Sequence, residues 1–345
     1  MSLRYGLIGL GFHGRGAVAP AFFKPGVEAV LRTVCDLKPD ALASLELPVK
    51  RRTTDYREML RDPEIDAVYV AAGMDLHYGI VMDCLQAGKH VIVEKPMAST
   101  AEQCRRMSEE ARARKLALAV NFETRYGEQN AILRRWIAEK RLGRIEALHF
   151  ANLWDGHKKK EPIRERRARL MALSGALDCG IHKLDQARFL VGGTWKRIEA
   201  VGSWLGEDEF VPPTHIGILG QLSTGVAVTL NASLAWASNI EARPFVNTLE
   251  IAGTRGVALC RSTPDFRKMT VQLFSESTEE EHTIDESGHT NDIVLVLNDF
   301  RKVVRDGPQA APVLATGEDG YWAQYATETA NACAARTKIP VPGPV

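Results

Sequence analysis

The sequence lacks three features that would each point to a particular class of protein. Its six cysteines are scattered and form no Cys-x-x-Cys pair, which argues against a disulfide framework and against a structural zinc site. No stretch reaches the ~18 consecutive apolar residues that a membrane-spanning helix needs. The formal net charge is only +1, so the composition does not indicate a nucleic acid or an anionic membrane as a partner. We expect no metal site.

The length and the first residues narrow the class further. At 345 residues the chain is predicted to form two domains, because a single core of that size is unusual. The first predicted strand begins at Leu3, which leaves no room for a signal peptide. Together with cysteines that are most simply explained as reduced thiols, this favours a cytoplasmic protein.

A glycine motif near the N-terminus carries the most information. Three glycines follow a short apolar run and precede a helix-like segment, and a second apolar run then ends on Asp36. Strand, glycine-rich turn, helix, strand and acid is the order that a dinucleotide site requires. Gly9 permits the tight turn, Gly11 lets the backbone approach a pyrophosphate, and Gly14 lets helix and strand pack closely. Asp36 would accept hydrogen bonds from the adenosine ribose, which favours NAD, although Lys38 leaves NADP open as the less favoured cofactor.

The pattern of apolar runs divides the chain near residue 122. Before that point buried strands alternate with amphipathic helices, which predicts a doubly wound parallel sheet of the Rossmann type. After it, strand-like runs separated by turn signals predict an α+β domain with a large, mostly antiparallel open sheet. Helices at 292–305 and 318–334 are expected to help cover that sheet. The predicted α/β protein thus has a dinucleotide-binding domain at 1–122 and a substrate-binding and oligomerisation domain at 123–345.

A lysine stands at the end of a predicted parallel strand, in the segment Val93-Glu94-Lys95-Pro96. The carboxyl ends of such strands are where open α/β sheets bind ligands. Pro96 restricts the backbone of Lys95 to an extended conformation and so limits where its side chain points. The alternative is an ordinary charged pair at a strand end, and this tripeptide alone does not decide between the two.

A second polar motif lies in the segment 175–185. If this segment begins a helix, Asp178, His182 and Asp185 lie on one face of it. Neighbouring carboxylates keep the imidazolium form accessible near neutral pH, so the histidine is a plausible proton acceptor. The structural alternative makes Asp178 an N-cap and His182 a buried histidine with satisfied hydrogen bonds. A metal site is less favoured, because no third ligand stands in a recognisable place.

Taken together, the three motifs resemble the Gfo/Idh/MocA family, the relatives of glucose–fructose oxidoreductase and inositol dehydrogenase. The resemblance covers nearly the whole chain and rests on the glycine motif, on Glu94-Lys95-Pro96 and on the segment 175–185. It implies that Lys95, Asp178 and His182 converge at the nicotinamide. His182 would take the hydroxyl proton as hydride leaves for the nicotinamide, and Lys95 would stabilise the developing alkoxide. Asp178 would contact the substrate hydroxyl or keep the other two in register.

The resemblance implies further contacts, residue by residue. Cofactor contacts are expected from Gly9, Gly11, Phe12, His13, Gly14, Asp36, His77, Glu94, Lys95 and Asn121. Substrate contacts are expected from Lys95, Arg125, Asp178 and His182. The chain departs from the family at Met74-Asp75, where relatives often carry Pro-Asn, and at Ser174-Gly175, which replaces a run of glycines.

The implied activity is that of an NAD-dependent dehydrogenase acting on a CH–OH group of a sugar, sugar acid, polyol or cyclitol. A basic segment, 158–169, has seven basic residues against two acidic ones. It would select an acidic substrate through arginine contacts, or it is a solvated loop or an arm to a neighbouring subunit. Two other functions stay open: a redox-neutral glycoside-processing enzyme that keeps NAD bound, and a non-catalytic sensor of NAD and sugars.

The resemblance also implies a homodimer or homotetramer formed through the exposed face of the C-terminal sheet. Such a face would have to be apolar. The runs 226–230 and 234–236 are candidates for it.

Overall fold

The structure is a computed structural model that describes residues 2–154, 174–204, 212–234, 236, 245–276, 278–285 and 289–338. The basic segment 158–169 lies outside the described residues. The chain divides into two compact units, the first made of Met1–Gly127 and Ser287–Gln324, the second of Glu128–Glu286 and Tyr325–Val345. The predicted domains differ from these units chiefly because residues 287–324 return to the first one.

A parallel sheet of six strands forms the centre of the first unit. Its strands are β1 (Leu3–Ile8), β2 (Ala29–Cys35), β3 (Arg51–Thr53), β4 (Ala67–Val70), β5 (His90–Glu94) and β6 (Leu118–Asn121). Their order is β3-β2-β1-β4-β5-β6, which confirms the doubly wound parallel sheet. The order reverses between β1 and β4, and doubly wound sheets bind ligands at the carboxyl ends of the strands at such a point.

Helices connect these strands. They are a π-helical turn (Gly14–Val18) that continues into α1 (Ala19–Ala21), and then α2 (Pro39–Ala43), α3 (Tyr56–Leu60), α4 (Met74–Gln86) and α5 (Ala101–Ala113). A 3-10 turn, Glu123–Tyr126, follows β6. Every residue of β4 is buried, as expected for a strand that is covered on both faces.

The second unit is built on a sheet of eight strands. They are β7 (Ile145–Leu153), β8 (Trp195–Ser203), β9 (His215–Leu222), β10 (Ala227–Ser233), β11 (Val246–Gly253), β12 (Gly256–Ser262), β13 (Lys268–Ser275) and β14 (Glu279–Asp285). The order is β14-β13-β12-β11-β7-β10-β9-β8; β7 and β10 pair in parallel, and the other neighbours are antiparallel. Helices α6 (Glu128–Ala138) and α7 (Ile181–Val191) pack against each other, and α7 also contacts β7 and β10. This confirms the predicted, mostly antiparallel sheet.

Helix α8 (His289–Asp306) belongs to the first unit, contrary to the prediction that it covers the antiparallel sheet. Its buried residues Leu297 and Phe300 join one core cluster with Tyr5 and Phe22. An amphipathic pattern specifies that a helix buries one face, but it does not specify against which sheet. Helix α9 (Gly317–Arg336) contributes to both units, and its second half does pack on β8, where the backbone N–H of Ala200 lies 3.3 Å from Sγ of Cys333.

The apolar run 226–230 does not form an exposed apolar face. Val226, Val228 and Leu230 are buried, because alternate residues of β10 point to the covered side of the sheet. The exposed apolar side chains nearby are Val201 and Leu219, which are 66% and 55% exposed. Of the second predicted run, Leu234 is buried and residue 235 lies outside the described residues.

All six cysteines are free thiols in the structure, as the sequence predicts. Burial raises the pKa of the Cys35 and Cys260 thiols to about 12, which keeps both protonated and unreactive. Within the described ranges, no helix is long and apolar enough to cross a membrane.

Candidate functional site

The glycine-rich turn after β1 is shaped by close contacts within the first unit. Gly9 has a φ of +98°, and its N–H donates to the carbonyl of Cys35 at 2.8 Å. A Cβ on Gly9 would lie 2.5 Å from the carbonyl oxygen of Ala71, and one on Gly14 would lie 2.1 Å from the carbonyl oxygen of Gly9. Both positions therefore need glycine because of the protein's own packing.

Gly11 differs from its two neighbours in the motif. A Cβ built on it would meet no protein atom within 4 Å, so packing alone does not explain a glycine there. The turn leads directly into the helix that contains Gly14–Val18, whose first N–H groups and positive dipole end suit an anion. Next to Gly11, Phe12 is 97% exposed. The open space and the helix start together fit a pyrophosphate, as the sequence predicts for NAD.

Asp36 links the glycine-rich turn to the end of β2. One carboxylate oxygen accepts a hydrogen bond from the backbone N–H of Leu10 at 2.7 Å, and the other accepts from that of Lys38 at 2.9 Å. Each oxygen keeps a lone pair that can accept from a ribose hydroxyl. Leu37, the residue that follows the acid, is 77% exposed.

Glu94 lies at the centre of a buried hydrogen-bonded cluster. Its Oε1 accepts from the hydroxyl of Tyr69 at 2.7 Å and from Nδ2 of Asn121 at 2.8 Å. Nε2 of His13 lies 3.2 Å from the same oxygen. The structure therefore brings three of the predicted cofactor residues together, and it adds Tyr69, for which the sequence carried no signal.

His77 is engaged with the backbone of the first unit. Its Nδ1 lies 2.9 Å from the carbonyl oxygen of Pro96 and its Nε2 lies 3.0 Å from that of Ala72. Burial lowers the pKa of the ring, although the carbonyl contacts oppose that shift. The side chain thus holds the segments after β4 and β5 together, and a direct contact between His77 and the cofactor remains a prediction.

Arg125, Asn121 and Lys95, at and beyond the ends of β6 and β5, differ in their burial and in their partners. Arg125 is 5% exposed and forms an ion pair with Asp319 at the start of α9, with an N–O distance of 3.3 Å. Asn121 is fully buried, and its Oδ1 has no hydrogen-bond partner in the part of the chain that the structure describes. Lys95 is half-buried. The substrate contact predicted for Arg125 therefore has to coexist with its ion pair.

In the second unit, a π-helical turn (Ala176–Gly180) leads into α7. Ser174 caps it: its hydroxyl accepts a hydrogen bond from the backbone N–H of Leu177 at 3.0 Å. Asp178 is therefore not the N-cap, and it and His182 are both half-buried, whereas Asp185 is buried. The N-cap role proposed for Asp178 in the structural alternative is therefore wrong, and the role of His182 stays a prediction.

Glycines let the start of this helix lie close to β10. A Cβ on Gly175 would lie 2.9 Å from the carbonyl oxygen of Ala232, and one on Gly180 would lie 3.3 Å from a methyl group of Leu230. Polar residues follow on the same helix: Gln186 donates from its Nε2 to Oδ1 of Asn130 at 2.7 Å. Among the described residues, no group of three or more His, Cys, Asp or Glu side chains could hold a metal ion.

Comparison with family models identifies both parts of the chain. Residues 3–122 match the model described as "Oxidoreductase family, NAD-binding Rossmann fold". Residues 131–259 match the model of the GFO/IDH/MocA C-terminal domain.

Individual relatives are similar over different lengths. Levoglucosan dehydrogenase of Pseudarthrobacter phenanthrenivorans is 33% identical over 217 residues, which cover 60% of this chain and 55% of that protein. Myo-inositol 2-dehydrogenase of Thermotoga maritima is 25% identical over 338 residues, or 92% of each chain. A solved structure of levoglucosan dehydrogenase in complex with NADH and levoglucosan has a TM-score of 0.81 and 24% identity, and the match covers 98% of both chains. This last likeness shows a shared fold.

Proposed function

Because the chain belongs to the GFO/IDH/MocA family of oxidoreductases and carries its NAD-binding Rossmann domain, we propose that it interconverts a CH–OH group and a carbonyl of a sugar, sugar acid, polyol or cyclitol. The predicted family, fold class and NAD cofactor are confirmed. The names of the relatives, levoglucosan dehydrogenase and myo-inositol 2-dehydrogenase, support a cyclic, polyhydroxylated substrate.

In this proposal three side chains carry the chemistry. His182 accepts the proton of the substrate hydroxyl and returns it in the reverse direction. Lys95 presents a positive charge to the oxygen as an alkoxide develops on it. Asp178 contacts the same hydroxyl or keeps the other two side chains in register. When bound, NAD supplies the acceptor or donor of the hydride.

The observation that carries the assignment of His182 is the local structure of its helix. Ser174, and not Asp178, caps this helix. The side chains of Asp178 and His182 are both half-buried. A buried structural histidine would be expected on the apolar side of α7, where Ile181 and Leu184 lie.

Substitution of His182 by Ala tests the assignment. We expect turnover to fall by about 10²- to 10⁴-fold, the usual contribution of a general acid–base, while the NAD dissociation constant stays within about twofold. Turnover is followed through reduced-nicotinamide absorbance with NAD or NADP and a panel of sugars, sugar acids, polyols and inositols. His90→Gln is the control, because His90 lies at the opposite end of β5 from Lys95. Turnover that survives in His182→Ala would refute the assignment.

We further propose a cytoplasmic homodimer or homotetramer that forms through the open face of the second sheet. The exposed side chains of Val201 on β8 and Leu219 on β9 support that face as the interface, because an exposed apolar pair on a sheet favours association.

A further inference from the structure

The buried carboxylate of Glu94 needs a compensating positive charge. Glu94 is 7% exposed, and an ionised carboxylate is costly to bury unless it is paired and hydrogen-bonded. Of the three groups that surround its Oε1, the Tyr69 hydroxyl and the Asn121 amide are neutral donors. His13, at 3.2 Å, is the one of the three that can carry a positive charge.

His13 and Glu94 each lie next to a residue that was predicted to be part of the site. His13 directly precedes Gly14 at the start of the first helix, and Glu94 directly precedes Lys95 at the end of β5. The contact between them therefore ties the glycine-rich turn to the strand end that presents the lysine. We propose that His13 is a positioning residue for the cofactor: as an imidazolium paired with Glu94 it holds the glycine-rich turn in its NAD-binding position, so NAD affinity depends on the protonation of His13.

The charges that face His13 agree with an imidazolium. Burial lowers the pKa of His13, but the nearby carboxylates of Glu94 and Glu123 outweigh that effect, with Lys95 opposing them, and the net shift is upward. Burial and the nearby Glu123 raise the pKa of Glu94, yet the His13 contact and the Tyr69 hydrogen bond outweigh them and the net shift is downward. The directions of both pKa shifts thus favour a His13 imidazolium paired with a Glu94 carboxylate.

Loss of the proton from the His13 imidazolium would weaken NAD binding in two ways. The turn would lose its charged contact with β5, and the Glu94 carboxylate would lose the positive charge that faces it at 3.2 Å beside the start of the helix. Both effects weaken binding of an anionic pyrophosphate. Because NAD would bind the imidazolium form more tightly, affinity is highest at low pH and falls as the pH rises through the pKa of His13, which the nearby carboxylates raise.

The test measures the NAD dissociation constant by isothermal titration calorimetry between pH 6 and pH 8.5, without substrate. In the unchanged protein, affinity should fall by up to about tenfold over this range, the change that one pKa unit of coupling gives. His13→Gln keeps a neutral donor, so its affinity should be pH-independent and close to the high-pH value of the unchanged protein. His13→Met removes the donor as well and should bind more weakly still, again without pH dependence.

Two comparisons separate this role from a merely structural one. His90→Gln, on the same strand, should keep the pH profile of the unchanged protein. Melting temperatures are recorded in parallel, and every titration is run well below the melting temperature of the variant concerned, so that a change in binding is not caused by unfolding. A flat profile in the unchanged protein, or a pH-dependent one in His13→Gln, would overturn the proposal. The measurement does not involve His182, so it remains valid if the catalytic assignment fails.

Discussion

Substitution of Gly11 by Ala is the sharpest test of how the glycine-rich turn binds NAD. An added methyl group at this position meets no protein atom within 4 Å, and the backbone of Gly11 is not in the left-handed region. The folded protein should therefore tolerate Ala, and the lower entropy of the unfolded chain should stabilise it by up to about 1 kcal/mol. The methyl group would occupy the space that we assign to the pyrophosphate. NAD affinity should fall at least about tenfold, or ~1.4 kcal/mol.

Two further glycines of the same segment serve as controls. Gly14→Ala places a methyl group 2.1 Å from the carbonyl oxygen of Gly9, so it should destabilise the fold itself by about 1–3 kcal/mol or more. Gly16→Ala, in the helix and also in open space, should stabilise by up to about 1 kcal/mol and leave NAD binding unchanged.

The assay combines calorimetric titration with NAD and urea unfolding monitored by tryptophan fluorescence, for the unchanged protein and the three variants. Gly11→Ala should separate the two properties, with weaker binding and unimpaired stability. If Gly11→Ala binds NAD as tightly as the unchanged protein, the space beside Gly11 is not where the pyrophosphate lies. If it is instead destabilised as much as Gly14→Ala, the space beside Gly11 is not open.

Two other substitutions test the fold and the assembly. Phe300→Ala removes a fully buried ring of α8 that lies 6.5 Å from the ring of Tyr5, and it should cost about 3–5 kcal/mol in urea unfolding; a cost below about 1 kcal/mol would contradict the place of α8 in the first core. Leu219→Asp introduces a charge on the open face of the second sheet, where the side chain is 55% exposed. It should leave the melting temperature almost unchanged and lower the molar mass measured by light scattering, whereas an unchanged mass would exclude this face as the interface.

The sequence alone was sufficient for those features that depend on residues close together in the chain. The alternation of apolar runs predicted both sheets, because the period of burial is a local property of a strand or helix. The glycine motif with Asp36 predicted the dinucleotide turn, since the three glycines and the acid all stand within one βαβ unit. The segment 175–185 was predicted as a helix start, and the structure places a capped helix there.

Edge strands and one helix show where local patterns were insufficient. β14 (Glu279–Asp285) reads as a charged run with Ile284 as its one fully buried apolar residue, and it is a strand because β13 offers an edge to pair with. Helix α8 was predicted as a helix, but its pattern could not indicate that Tyr5 and Phe22, nearly 300 residues earlier in the chain, would form the surface it buries.

The cluster of polar side chains around Glu94 depends on the tertiary structure. His13, Tyr69, Glu94 and Asn121 lie on four separate segments, and only the order of strands in the sheet brings their polar atoms to one carboxylate oxygen. In the same way Arg125 meets Asp319 across 194 positions of sequence. A sequence motif specifies which chemical groups are present, whereas burial and long-range pairing decide which of them are charged, held or available to a ligand.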